Sequence, residues 1–351
     1  MRRGLKMTLV TVTGAALTLA ASACGGKEAN TGSGGGDDNT MTVGLAYDIG
    51  GRGDQSFNDS AAAGLDRAKS ELNVKTKEIS AKPDESDADK EARLRLMANQ
   101  GVNPIIGVGF AYTAAVNKVA KDFPDTKFLV VDADGCKVEG PNVAAACFAE
   151  AEGSYLVGAA AALKSKTGTI GFIGGVNVPL IHRFQAGYEA GAKKVRPDIK
   201  ILPAKYLTQP PNFNGFQDTG LGTEAAQGQL DEGADVIYHA AGAAGIGVIK
   251  TVGAAKKWAI GVDSDQYKQP AVEEVKDQIL TSMVKNVDVA VFDFIKSVKE
   301  NRFKAGSKVY DLKANGVSYA TSGGHVDDIK PQLEELKAKI ISGEIKVPTK
   351  P

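Results

Sequence analysis

Few residues in this chain have the types and spacing that catalysis by a metal ion or an activated nucleophile requires. The three histidines are His182, His239 and His325, and none of them belongs to an H-E-x-x-H zinc pattern. The sequence also contains no G-x-S-x-G nucleophile elbow and no G-x-x-x-x-G-K-S/T phosphate loop. We therefore expect no metal and no organic cofactor, and binding is favoured over catalysis.

The glycine-rich segment GGRGDQSFNDSAAAGL, which begins at Gly50, is a candidate binding loop. It places Asp54, Phe57 and Asn58 directly before a predicted helix. A lone Phe at such a junction can be a hydrophobic staple of the helix, or it can offer a flat face to a ligand. Its polar neighbours favour the ligand interpretation.

Three carboxylates stand where predicted apolar strands end: Asp48, Asp132 and Asp263. In open parallel sheets, ligands bind beyond the carboxyl ends of the strands, where helix N-termini also present free N–H groups. These side chains are therefore candidates for ligand contacts. For Asp48 and Asp132 the alternative is a cap on the loop that follows the strand.

The elements that would position these residues alternate between short β-rich runs and helical segments. Most of the β-rich runs are continuously apolar, as strands covered on both faces must be. The alternation predicts an α/β protein with doubly wound parallel sheets, and the length of 351 residues predicts two domains. The predicted strands are 42–47, 74–79, 104–108, 127–131, 169–173, 200–206, 235–240, 258–262 and 278–283.

The N-terminal residues have the composition of a targeting signal followed by a tether. A basic start precedes an apolar run at 7–21, which is shorter than the roughly 20 residues that span a bilayer as a helix. We interpret 1–23 as a signal peptide and 24–40 as a flexible tether lipidated at Cys24, because small residues lead into this Cys as in a bacterial lipobox. An ordinary A-x-A cleavage site is the alternative. The folded body then begins near Met41, outside the cytoplasmic membrane.

The folded body contains two cysteines, Cys136 and Cys147. In an exported chain an even number of cysteines indicates a disulfide, with two free thiols as the alternative.

Five motifs follow one another along the chain: GGRGDQSFNDSAAAGL, FQDTGLGTEAA from Phe216, HAAGAAGIGV from His239, IGVDSDQ from Ile260 and TSMVKNVD from Thr281. Together and in this order they resemble the basic membrane protein (BMP) family of bacterial substrate-binding lipoproteins, the PnrA-like purine nucleoside receptors of ABC importers. The resemblance implies a type I periplasmic-binding-protein fold, with two lobes joined by three chain crossings around a hinged cleft. The implied lobes are 41–149 plus 264–284 and 150–263 plus 285–351.

The resemblance also implies roles for individual residues. Phe57 and Phe216, one from each lobe, match the two rings that sandwich a purine, and stacking on aromatic rings suits any base. Gly242, Asp263 and Lys285 match the family's ribose contacts. The remaining candidates are Asp132 and Asn58 for the edge of the base, and Asp48 as a wall of the pocket.

We therefore expect a lipid-anchored, monomeric receptor that captures purine nucleosides such as adenosine, guanosine or inosine and delivers them to an ABC transporter permease. Its 42 basic and 42 acidic residues give a formal net charge of zero, which argues against nucleic acid as a partner. Two alternatives stay open: a receptor for another small polar ligand such as a sugar, and an exported nucleoside hydrolase or phosphorylase.

Overall fold

The computed structural model describes residues 40–82 and 85–351, so the predicted signal peptide, Cys24 and the tether up to residue 39 lie outside the described residues. The strands are β1 Thr42–Ala46, β2 Lys75–Ile79, β3 Ile105–Val108, β4 Phe128–Val131, β5 Val143–Phe148, β6 Thr169–Val176, β7 Lys200–Ile201, β8 Lys205–Thr208, β9 Val236–Ala240, β10 Trp258–Asp263, β11 Ile279–Lys285, β12 Gly306–Tyr310 and β13 Val317–Tyr319. The helices are α1 Phe57–Leu72, α2 Asp87–Asn99, α3 Thr113–Val119, α4 Glu150–Lys164, α5 Pro179–Val195, α6 Thr219–Asp231, α7 Gly245–Ala254, α8 Val287–Lys299 and α9 Lys330–Ile341. None of these described helices is long and apolar enough to cross a lipid bilayer.

The strands form two sheets, each the centre of one lobe. The sheet of the N-terminal lobe has the order β12-β5-β4-β3-β1-β2, and its strands are parallel. The sheet of the C-terminal lobe has the order β13-β11-β10-β9-β6-β7, with β8 also paired to β6. In this second sheet β13 runs antiparallel to β11, and the other described pairs are parallel. The predicted doubly wound α/β class is confirmed.

The predicted lobe boundaries are wrong in two places. All of strand β11 except its last residue, Lys285, lies within 264–284, which was assigned to the N-terminal lobe, but the strand pairs with β10 and β13 in the C-terminal lobe. Strand β12 lies within 285–351, which was assigned to the C-terminal lobe, but it pairs with β5, and α8 packs on α1. The chain therefore crosses between the lobes three times, after β5, after β11 and after β12. Local sequence does not reveal which sheet a strand joins, because the ladder is made by backbone groups that nearly every residue carries.

Each predicted strand region forms a strand, and the differences have local causes. The region 200–206 is split into β7 and β8 around Pro203, which has no backbone N–H for a ladder. Strand β5 is missed because its run of three alanines lacks the β-branched residues that indicate a strand. Strands β12 and β13 are missed because the first is an edge strand with four exposed residues and the second has only three residues.

Cys136 and Cys147 are joined in a disulfide, with their Cα atoms 5.7 Å apart. The bridge links the loop after β4 to strand β5, which is the neighbouring strand in the sheet. It therefore ties down the loop that begins at Asp132, one of the predicted site residues.

Helices α4 and α5 pack against each other closely because glycine replaces larger side chains at their contact. A Cβ at Gly187 would lie 2.1 Å from the carbonyl oxygen of Ala151, and a Cβ at Gly191 would lie 1.9 Å from that of Tyr155. Neither distance allows a side chain without moving the partner helix. This packing determines where Glu150 of α4 and Phe184 of α5 lie relative to each other.

The close approach of α4 and α5 predicts a large penalty for a methyl group at Gly191. We expect Gly191→Ala to lower the free energy of unfolding by about 1–3 kcal/mol, the usual cost of overpacking. Gly228→Ala is the matched control, since Gly228 lies in α6 and a Cβ there would contact nothing. It should be neutral or stabilising by up to about 1 kcal/mol. Urea denaturation of the two variants measures both values, and equal effects would contradict the packing argument.

Candidate functional site

A pocket of about 580 Å³, partly open to solvent, lies between the carboxyl ends of the strands of the two lobes. We call it the cleft pocket. Every ligand-binding residue predicted from the sequence lines it. These residues are Asp48, Phe57, Asn58 and Asp132 from the N-terminal lobe, and Phe216, Gly242, Asp263 and Lys285 from the C-terminal lobe.

Phe57 is the first residue of α1, and the loop before it is fastened by Asp54. The buried Asp54 carboxylate accepts hydrogen bonds from the backbone N–H groups of Ser56, Asn58 and Asp59. A carboxylate at this position satisfies N–H groups that have no partner within the helix. Phe57 therefore lies at a helix start whose backbone is fixed by hydrogen bonds to Asp54.

Phe216 reaches the cleft pocket because a glycine on strand β6 leaves room for its ring. A Cβ at Gly175 would lie 2.5 Å from the ring of Phe216. The backbone oxygen of Phe216 also lies 2.9 Å from the place of a Cβ at Gly242, whose φ of +53° favours glycine. The position of Phe216 thus depends on two residues without side chains.

Asn58 has an amide that is engaged within its own lobe. Its oxygen accepts a hydrogen bond from the backbone N–H of Asp48, and its nitrogen donates to Ile49 O and to Asp54 Oδ2. Both donor hydrogens are therefore used in holding the loop. The predicted contact of Asn58 with the edge of a base stays a prediction.

Lys285, the last residue of β11, places a buried ammonium group at the centre of the site. Its Nζ lies 2.5 Å from Asp132 Oδ2 and 3.3 Å from Glu150 Oε1. Burial alone would lower the pKa of Lys285, but the carboxylates of Asp132, Glu150 and Asp263 hold this pKa above its ordinary value. Three rings surround the ammonium group at 5.0–5.5 Å from Nζ, those of Phe57, Phe148 and Phe184.

Asp263 joins the two lobes through a hydrogen bond. The Ser56 hydroxyl of the N-terminal lobe donates to Asp263 Oδ2 over 2.6 Å, and both residues are buried. Burial raises the pKa of Asp263 to about 6, although Lys285 and the Ser56 hydroxyl act in the opposite direction. The carboxylate is therefore mainly ionised at neutral pH and can accept further hydrogen bonds.

One carboxylate oxygen of a residue that lines the pocket, Asp132 Oδ1, is buried without a hydrogen-bond partner. A buried acceptor left unpaired costs about 1–3 kcal/mol, so such an atom next to a pocket indicates where a ligand would donate. The cleft pocket thus combines flat aromatic faces with carboxylate acceptors and one cation. A neutral ligand with a flat ring and several hydroxyl or N–H donors suits this combination. Among the described residues, no group of three or more His, Cys, Asp or Glu could hold a metal ion.

Comparison with known proteins agrees with this arrangement. Residues 41–351 match the family described as "ABC transporter substrate-binding protein PnrA-like". The chain belongs to this family. It is 34% identical to the CD4+ T-cell-stimulating antigen of Listeria innocua, over 99% of this chain and 98% of that protein. It is also 34% identical to the ABC transporter nucleoside-binding protein BmpA of Lactococcus lactis, over 88% of this chain and 90% of that protein.

A solved structure of an ABC transporter solute-binding protein supports the fold. An ABC transporter solute-binding protein from Aeropyrum pernix superimposes with a TM-score of 0.76 at 31% identity, covering 88% of this chain and 93% of that one. This chain is thus a substrate-binding protein of the PnrA-like family, with the two-lobed architecture that the resemblance implied.

Sequence reasoning missed several residues of this substrate-binding protein that shape the site, among them Leu180, Phe184 and Glu150. Phe184 and Leu180 of α5 line the cleft pocket, but a helix that follows a strand gives no local sign of which turn faces a ligand. Glu150 does not line the pocket but lies within ion-pair distance of Lys285. It follows β5, which was missed as a strand, so no carboxylate was expected at that strand end. Recognition of β5 would have added Glu150 to the candidates.

Asp48 predicts a pH dependence of stability. Burial raises its pKa from 3.8 to about 6, so the folded protein binds this proton more tightly than the unfolded chain does. The protonated Asp48 carboxyl therefore contributes fully to the free energy of unfolding below pH 4, and this contribution is lost as the pH rises from about 4 to about 6. The loss amounts to about 3 kcal/mol at most, at 1.36 kcal/mol per pKa unit.

The variant Asp48→Asn has no such proton and isolates this contribution. We expect it to gain stability relative to the wild type between pH 4 and 7, with no further change above pH 7. Thermal melts of both proteins across this range measure the difference. A difference that does not vary with pH would show that the Asp48 carboxyl is not in a desolvated environment.

Proposed function

We propose that this substrate-binding protein captures purine nucleosides and delivers them to an ABC transporter permease from a lipid anchor at Cys24. The observation that carries the proposal is the composition of the cleft pocket, which is lined both by aromatic rings from the two lobes and by the Asp132, Asp263 and Lys285 cluster. A purine has two flat faces, and its ribose has a pair of hydroxyl donors. The pocket offers a partner for each.

Aromatic rings from opposite lobes would make the ligand part of the contact between the lobes. Phe57 belongs to the N-terminal lobe and Phe216 to the C-terminal lobe, and both are only partly buried. Each stacked face contributes about 1–3 kcal/mol, and both faces are used only when the cleft is closed. Binding would therefore shift the population toward the closed form.

The carboxylate cluster supplies the acceptors that ribose hydroxyls need. Asp263 is ionised near neutral pH, and one of its oxygens is free of the bond from Ser56. Hydrogen bonds to an ionised carboxylate are roughly twice as strong as neutral ones. Lys285 offsets part of the negative charge and can donate to a ligand oxygen. The same carboxylates would repel an anion, so nucleosides suit the pocket better than nucleotides.

The proposal includes that the protein binds nucleosides without cleaving them. Hydrolysis of a glycosidic bond by two carboxylates requires one to donate a proton and the other to activate water or the sugar. Here Asp132 is paired with Lys285 and Asp263 with Ser56, so both serve contacts across the cleft. Incubation with inosine, followed by chromatography for hypoxanthine, separates the binding protein from a hydrolase.

Calorimetric titration of the mature protein tests the ligand class. Adenosine, guanosine and inosine should bind, their free bases should bind more weakly, and ribose and glucose should bind weakest. Tight binding of a sugar without any binding of nucleosides would favour the alternative of a sugar receptor and contradict the proposal.

Loss of either ring should weaken binding of nucleosides and free bases alike. We expect Phe57→Ala and Phe216→Ala each to raise the Kd for inosine more than about tenfold, because one lost stacking face costs on the order of 1–3 kcal/mol. Phe123→Ala is the control, since Phe123 is partly buried in the N-terminal lobe outside the cleft pocket. It should lower the melting temperature without changing the Kd. Unchanged affinity in both Phe57→Ala and Phe216→Ala would refute stacking.

Asp263 should distinguish a nucleoside from its free base. If its carboxylate accepts from the ribose hydroxyls, Asp263→Ala should raise the Kd for inosine by tenfold or more, at about 1–3 kcal/mol for a lost charged hydrogen bond. The Kd for hypoxanthine should hardly change. Asp265→Ala is the control, because Asp265 bonds to Ser322 and Lys268 outside the pocket. Equal losses for inosine and hypoxanthine in Asp263→Ala would show that Asp263 contacts the base instead.

A further inference from the structure

The buried carboxylate of Glu150 has no role in the proposed function so far. It does not line the cleft pocket, yet its side chain is 1% exposed and lies 3.3 Å from Lys285 Nζ. Its other oxygen lies 3.5 Å from Arg183 Nη1, on the neighbouring helix α5. An ionised carboxylate is costly to bury, so its retention at this point requires a compensating interaction.

The partners of Lys285 come from different lobes. Asp132 belongs to the N-terminal lobe, whereas Glu150 and Lys285 both belong to the C-terminal lobe, through α4 and β11. Opening of the cleft would separate Lys285 from Asp132. Glu150 would remain, since α4 packs on β11.

Glu150 and Lys285 also lie at the crossings between the lobes, where opening moves atoms least. Glu150 follows the first crossing, and Ala149 before it donates its N–H to Tyr310 O at the third crossing. Lys285 precedes the second crossing, where Asn286 N–H donates to Gly316 O. The contact between the two side chains is thus part of the hinge.

The charges that face Lys285 come from every element packed around it. They are Asp132 after β4, Glu150 on α4 and Asp263 on β10, while Arg183 on α5 lies on the far side of Glu150. Asp263 is bonded to Ser56 of the opposite lobe. Among the described residues, Glu150 is therefore the carboxylate of the C-terminal lobe within ion-pair distance of Lys285.

We propose that Glu150 is a positioning residue, which keeps Lys285 charged and directed at the cleft pocket. It does so while the opening of the cleft moves Asp132 away from Lys285 and the closing of the cleft brings it back. The consequence for binding rests on the proposed function. A ligand then meets a Lys285 side chain that is already charged, so binding does not have to drive its protonation. Asp132 is the partner that leaves Lys285 when the cleft opens and returns when it closes.

The test compares Glu150→Gln with Glu152→Gln. Glu152 lies on the same helix at the hinge and accepts from Leu312 N–H, and it makes no described contact with Lys285. We expect Glu150→Gln to raise the Kd for inosine about tenfold, as loss of a charged partner does. The Kd for hypoxanthine should change less than about threefold, and Glu152→Gln should leave both constants unchanged. Glu150→Asp, which keeps the charge, should recover most of the affinity.

A double-mutant cycle shows whether Glu150 acts through Lys285. The variant Glu150→Gln/Lys285→Met should bind inosine no more weakly than Lys285→Met alone, because the residue on which Glu150 acts is absent. Additive losses would overturn the inference and assign Glu150 a purely structural role.

A measurement without ligand separates this inference from the proposed function. NMR titration of the Lys285 ammonium group should show a pKa that falls by about one unit or more in Glu150→Gln and not in Glu152→Gln. An unchanged Lys285 pKa would refute the inference even if nucleosides bind. A lowered pKa in a protein that binds no nucleoside would refute the proposed function alone. If Glu150→Gln does not fold, the apolar variant Glu150→Met, which has a similar volume, takes its place in the same titration, with the same fall in the Lys285 pKa expected.

Discussion

The site depends on one buried cation. Lys285 is 1% exposed and is stable as an ammonium group only because carboxylates from both lobes face it. An unpaired buried charge would be neutralised or would draw water into the cleft. The contact between Lys285 and Asp132 therefore couples the charge balance of the site to the relative position of the lobes. The closed cleft is the arrangement in which this cation has its full set of partners.

Several other contacts across the cleft are uncharged. Near the Gly-rich loop, Gln55 accepts hydrogen bonds from Ser264 and Ala271 of the opposite lobe. The ring of Phe110, which lines the cleft pocket from the N-terminal lobe, meets the ring of Phe213 of the C-terminal lobe edge to face, with their centres 6.0 Å apart. These contacts are neutral and individually modest, so they can form and break without charged groups becoming unpaired. The charged contacts lie deeper, where Glu150 and the crossings limit movement.

The sequence predicts the fold class and most of the site because both depend on local patterns. Apolar runs indicate strands covered on both faces, and parallel strands bring their carboxyl ends to one edge, which places Asp132 and Asp263 together. Lobe membership of β11 and β12 could not be predicted, since it depends on distant backbone pairing. Glu150 was missed because the alanine-rich β5 lacks the usual strand composition. The position of Phe216 in the pocket wall could be predicted only from the family resemblance, because it depends on the space left by Gly175 and Gly242.

A crystal structure of the mature protein with inosine tests the central claim most directly. The account predicts the base between the rings of Phe57 and Phe216, with the ribose hydroxyls within about 3.2 Å of the Asp263 carboxylate. It also predicts that Lys285 contacts Asp132 and Glu150 as it does here. A structure with the ribose between the rings and the base against Asp263, or with the nucleoside outside the cleft pocket, would contradict the account.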